Sequence, residues 1–190
     1  MYICLGNNLL KIKQVNSMEE IIEELKPCSK GYVILGKEWG LEYVHLSYAI
    51  TIFPGLNQKD KFGVGIIQDP CLPPEILPRP DINLLIIGLN SKVVGINTVD
   101  CVIVFDIDLG LPFTSFYYLK EDNIMLVYEE DGISRLFENG KMVPLSKTGD
   151  LISDIKFKNK IITISYYDEP DEIIDLNQIK DRQIRKPDTD

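Results

Sequence analysis

A single histidine, His45, one tryptophan and four scattered cysteines are all this chain offers of the residues on which many metal sites and nucleophilic mechanisms are built. Cys4, Cys28, Cys71 and Cys101 form no C-x-x-C pair, which argues against a zinc site and against a disulfide-dense secreted scaffold. Any Cys–His or Ser–His–Asp mechanism has to run through His45. In "EYVHLSYAI" strand alternation gives Glu42 and Ser47 no privileged geometry beside it, and the plainer reading is a histidine packed in an aromatic strand.

Positive charge is scarce as well. Twenty Lys and Arg stand against 29 Asp and Glu, giving a formal net charge of −9 and a sequence pI near 4.7. Nucleic acid and anionic membrane surfaces repel such a chain, and a basic protein partner is attracted. The one basic cluster, "KDRQIRK" at 180–186, has no aromatic residues interleaved and reads as a solvated tail. No glycine-rich loop precedes a helix with Lys-Ser/Thr, so no phosphate cradle is indicated. Neither a cationic leader nor a membrane-length apolar run is found, and "MYICLGNNLLKIK" opens the chain. The expectation is a cytoplasmic protein with no cofactor, no nucleic-acid partner and no membrane partner.

What is present is strand-forming sequence. At 190 residues and 45% apolar, the chain has enough material for one substantial core. "YICLGNNLLKIKQV" predicts two strands around Asn7-Asn8. Ser17 and Glu20 have capping-box spacing ahead of "MEEIIEEL", which predicts a helix near 17–26 burying Met18, Ile21, Ile22 and Leu25 and ended by Pro27. Residues 32–53 predict two strands joined by a turn carrying Trp39, and "KFGVGIIQ" predicts another. "DPCLPPEILPRPD" is too rich in proline for a sheet interior and marks a connection.

From there ten short strands follow without a helix, punctuated by Asp131-Gly132 and Asn139-Gly140, pairs that accept hairpin-turn geometry. The predicted fold class is mainly β, a β-rich α+β chain with an antiparallel meander. Its parts are an N-terminal α+β segment (1–68), a Pro-rich connection (69–80), a β repeat region (81–178) and a polar tail (179–190).

A faint repeat runs through the β region. "NIMLVYEED" aligns without gaps on "KIITISYYD", and "KVVGINTVDCVIVFDIDLG" is the third proposed copy. Strand, turn, strand and acid at this spacing resemble blades of WD40-type β-propellers, although the Gly-His and Trp-Asp pairs are absent. Three units are too few to close a ring, so an open meander or partial propeller is expected.

Two acidic constellations are candidate sites. "VIVFDIDLGLP" resembles the strand-end aspartate pair of haloacid dehalogenase-like hydrolases. That resemblance implies a metal-dependent phosphatase or hydrolase with Asp106 as nucleophile and Asp108 as acid and base. The family's Asp-Gly-Thr continuation and interleaved helices are missing here. On the plainer reading Val102, Val104, Asp106 and Asp108 share a water-facing side, while Ile103, Phe105 and Ile107 pack inward.

The second constellation is "YEEDG" and "YYDEPDE", equivalent turns of the repeat. Tyr128, Glu129, Glu130 and Asp131 stand in the first, and Tyr166, Tyr167, Asp168, Glu169, Asp171 and Glu172 in the second. Tyrosine beside acids suits a cationic protein surface. The functional expectation is a non-catalytic module of the inhibitor or immunity type that neutralises a basic toxin or nuclease. The alternatives are the metal-dependent hydrolase and a propeller-like scaffold.

Overall fold

Ser17 caps the helix as its spacing predicts: its hydroxyl accepts from the Glu20 backbone N–H at 3.2 Å, and Glu20 reaches back to the Asn16 N–H at 3.0 Å. The computed structural model describes residues 1–36, 46–57, 59–70, 73–146 and 150–178. Trp39, Glu42, His45, Cys71 and the basic tail at 180–186 lie outside the described residues.

The described chain is mainly strand, in four sheets and one short helix. The first sheet contains β1 (Tyr2–Leu5), β2 (Asn8–Val15), β3 (Tyr32–Leu35), β4 (Leu46–Phe53) and β5 (Phe62–Gln68), in the order β1-β2-β4-β5-β3. The first hairpin turns through Gly6 and Asn7, one residue earlier than expected. β3 and β4 are not neighbours, as a simple hairpin would make them. β5 lies between them and pairs with β3 in parallel. Helix α1 (Met18–Leu25) covers one face of this sheet, burying Ile21 and Leu25 against Val15, Ala49 and Ile67. Ile22, expected inside, is 38% exposed. Gly65 admits the helix, because a Cβ there would overlap Ile21.

Three antiparallel meanders follow in chain order. The second sheet is β6 (Glu75–Arg79), β7 (Leu84–Leu89), β8 (Lys92–Asn97) and β9 (Val102–Asp108). The third is β10 (Phe113–Leu119), β11 (Ile124–Glu129), β12 (Ile133–Leu136) and β13 (Met142–Pro144). The fourth is β14 (Ile152–Lys158), β15 (Ile161–Tyr166) and β16 (Glu172–Asp175). All ten strands expected after the Pro-rich stretch are present. That stretch itself contributes β6, tolerating Pro78 because among the described residues β6 is an edge strand paired with β7 alone.

The sheets stack face to face in sequence order, and the side-chain period of two explains how. In β7, Leu85, Ile87 and Leu89 pack toward the first sheet, while Leu84 and Ile86 pack toward the third. In β11, Met125 and Val127 face the second sheet, and Ile124 and Leu126 join Ile162, Ile164 and Ile174 of the fourth. Strands buried on both faces read as continuous apolar runs instead of alternating ones. The antiparallel meanders stack, and the described strands form no closed barrel.

Asn83, Asn123 and Lys160, all left-handed at φ 54°, 52° and 64°, stand immediately before the second strand of each meander. They fix the true register of the repeat. β11 and β15 are equivalent, as aligned, but the third copy is β7, one strand earlier than "KVVGIN". At the packed face between the second and third sheets, Gly88 lies under the buried ring of Phe113. Gly88→Ala would force that ring aside and should lower stability by about 2 kcal/mol in urea denaturation. A loss below about 0.5 kcal/mol would mean that this face is loosely packed.

Candidate acidic edge

The two acid–tyrosine turns meet. The turn after β11 and the turn after β15 lie at the same end of adjacent sheets: Ile152, which opens β14 and pairs with Tyr166, donates its N–H to the Glu130 carbonyl at 3.1 Å. Tyr128 leans into the core shared by the third and fourth sheets. Burial raises its phenol above the ordinary value, and Tyr117, Glu130 and Tyr167 nearby add to the effect. Tyr166 packs in the same core, and its hydroxyl donates to Glu172 Oε2 at 2.8 Å. Its pKa is pushed up to about 12, first by burial, then by the Glu172 hydrogen bond and charge, with Asp131 of the other turn contributing. The influence of Asp131 on Tyr166, and of Tyr167 on Tyr128, places the two turns within one electrostatic neighbourhood.

Glu129 is half-buried and accepts from Ser134 Oγ at 3.3 Å. Burial, with Asp131 close by, holds its carboxyl above the ordinary value. Glu130, Asp168, Glu169 and Asp171 are exposed, Asp131 and Glu172 are partly covered, and Tyr167 is 70% exposed. The backbone of the second turn is braced by Asp150, whose Oδ2 accepts from the Asp168 and Glu169 N–H groups at 2.9 and 3.0 Å. These bonds, Asp168's first, lower the Asp150 pKa. Sequence reading missed Asp150. An aspartate after glycine at a strand start was the available signal, and its target lies 18 residues downstream.

The Tyr166 shift gives a measurable consequence. A folded-state value near 12 against an ordinary 10 means that the unfolded chain ionises first, so this contribution to stability is intact below pH 10 and is lost as pH rises toward 12. Glu172→Gln should bring the Tyr166 ionisation, resolved by ultraviolet titration against Tyr166→Phe, down toward 10. An unchanged midpoint would show that the phenol–carboxylate contact contributes nothing.

Asp106 and Asp108 stand apart from this edge. They lie on β9, an antiparallel strand at the margin of the second sheet, with no helix leading on from it. Asp108 Oδ1 accepts from the Gly110 N–H at 2.9 Å, capping the turn, and both aspartates are exposed. Among the described residues, no group of three or more His, Cys, Asp or Glu side chains is placed to share a metal ion. The expected alternation is broken by a bulge. Phe105 pairs with Gly95 and Ile103 with Ile96, so Val104 is an extra residue. Phe105 and Ile107 do pack inward, but Ile103 falls on the side of the aspartates and is exposed. The residue of β7's turn equivalent to Glu130 and Tyr167 is Asn90, which is buried and bonded to Gln68, Asp69 and Ile67 of the first sheet's last strand and its exit. The acidic series therefore begins at the third sheet, and Asp108 is not its first member.

No helix among the described residues is long and apolar enough to cross a membrane. No protein-family model, curated protein or solved structure matches the chain.

Proposed function

We propose that the chain is a non-catalytic acidic protein-binding module, an inhibitor or immunity-type protein that neutralises a basic partner such as a toxin or nuclease. The observation that carries this reading is the convergence of the two acid–tyrosine turns at one edge of the third and fourth sheets. Glu130, Asp131, Asp168, Glu169 and Asp171 supply a field that steers a cationic surface and stands in for a polyanionic substrate. Tyr167, projecting from the same edge, supplies aromatic contact area at low conformational cost.

The chemistry suits occupation of a basic active site more than turnover. The first turn is held by the Glu129 N–H on the Gly132 carbonyl and the Ile152 N–H on the Glu130 carbonyl, and the second by Asp150 and the Tyr166–Glu172 pair, so the carboxylates are presented on a preorganised edge and little ordering is needed on binding. Capture from the source cell on the immobilised chain tests the reading. A basic protein should be retained by the wild type and lost from a Glu130→Lys, Asp131→Lys, Asp168→Lys variant. Retention of an acidic protein, or equal retention by both forms, would contradict it.

A further inference from the structure

The strand that resembled a catalytic motif has an unused edge. Among the described residues β9 pairs with β8 alone, so the backbone groups along its other side have no ladder partner. Other margins of the meanders are blunted or occupied: β6 and β13 carry Pro78 and Pro144, β14 carries Lys156 and Lys158, β16 is four residues long, and β10 is bulged near Phe113 and gives its Phe116 N–H to Glu75 Oε2 at 2.8 Å. β9 runs for seven residues with neither proline nor lysine. It exposes Val102 (52%), Ile103 (39%) and Val104 (45%) in succession, with Val99 beside them. An apolar edge of this kind is a template for another strand.

Charge selects the strand that fits. Asp106 stands opposite Val94 and Asp108 opposite Lys92, so Asp106 has no cation across from it on β8. We propose that the free edge of β9 receives an extended segment of the basic partner as an added strand. Its Lys or Arg side chains lie beside Asp106 and Asp108, and its β-branched residues cover Val102, Ile103 and Val104. This rests on the basic-partner reading and adds to it a second contact made through the backbone. A second copy of this chain fits poorly. Antiparallel self-pairing centred on Val104 sets Asp108 against the other copy's Asp100, and two chains of net charge −9 repel.

The probe is a capped peptide of about ten residues alternating valine and lysine, compared with one of the same composition whose lysines are clustered. Backbone amide exchange is followed on the full-length chain. The alternating peptide should slow exchange of the outward β9 amides about tenfold or more, and the Asp106→Asn, Asp108→Asn variant should weaken its binding about tenfold. Absence of binding, equal binding of the clustered peptide, binding without β9 protection, or self-association of the chain through β9 would each overturn the proposal. The partner-capture result is independent of this one: a basic protein held in a Glu130- and Asp131-dependent way, with β9 unprotected, removes strand addition and leaves the acidic edge standing.

Discussion

Asp81→Ala should lower the unfolding free energy by about 3 kcal/mol, while Arg79→Met should cost less than half as much, although it deletes the larger side chain. Arg79 is fully buried where the second and third sheets meet. Its Nε and Nη2 donate to the two Asp81 carboxylate oxygens at 3.0 and 2.7 Å, and Nη2 donates also to Asn123 Oδ1 at 2.7 Å. The guanidinium lies 4.4 Å from the Tyr118 ring centroid, and Glu138 approaches Nη2 at 3.9 Å. Nη1 is buried without a hydrogen-bond partner. The charge is therefore held mainly by Asp81. Removing Asp81 strands a guanidinium inside the protein with a neutral amide and a distant carboxylate, whereas methionine fills similar volume with no charge to solvate. Because Asp81 is about half exposed, the loss falls at the lower end of the range for a broken buried pair.

The same pair fixes an acid limb. The Arg79 hydrogen bond holds Asp81 below its ordinary 3.8, so its contribution to stability is complete above that value and is lost as pH falls through the lower folded-state value. Urea denaturation of the wild type, Arg79→Met and Asp81→Ala across this window checks both statements. Equal losses from the two variants would show that packing, and not the buried charge, dominates the joint.

Reversing charge on the acidic edge should have the largest functional effect. The triple variant Glu130→Lys, Asp131→Lys, Asp168→Lys should lower the association rate with the basic partner by about 100-fold at low salt. Dissociation should change less, because steering acts before contact. Tyr167→Ala should act in the opposite way, raising the dissociation rate by about tenfold or more with little change in association. Glu121→Lys is the control: it lies in the β10–β11 turn at the other end of the third sheet and should alter neither rate beyond its small share of the net charge. All three chains should retain the wild-type circular dichroism, since none of these side chains is buried.

The strands were legible because local signals and global packing agree. Asn139-Gly140 is a turn in the sequence and in the structure, with Gly140 at φ 83°. The helix was legible from Ser17, Glu20 and the spacing of Ile21 and Leu25. Strand order in the first sheet was not, because β3 and β4 are separated by a strand that comes later in the chain, and nothing local encodes that insertion. The Val104 bulge was equally hidden: alternation in "VIVFDID" predicts Ile103 inside with Phe105 and Ile107, and an extra residue opposite β8 leaves it exposed.

The repeat was visible in β11 and β15 but misplaced in its first copy, because "LLIIGL", buried on both faces, lacks the terminal acid that the other two copies share. The acidic edge was legible as two equivalent turns. Their meeting depended on the fourth sheet stacking on the third, which a sequence pattern permits but does not specify. Asp150 and Arg79, the residues that brace the edge and join the sheets, were missed because their partners are set by tertiary structure.

The most direct measurement is the association rate of the captured basic partner with the wild type and the triple charge-reversal variant, from about 20 to about 200 mM salt. The acidic edge predicts a steep fall with salt for the wild type and a nearly flat line for the variant. A shallow wild-type dependence, or the same slope for both chains, would contradict it.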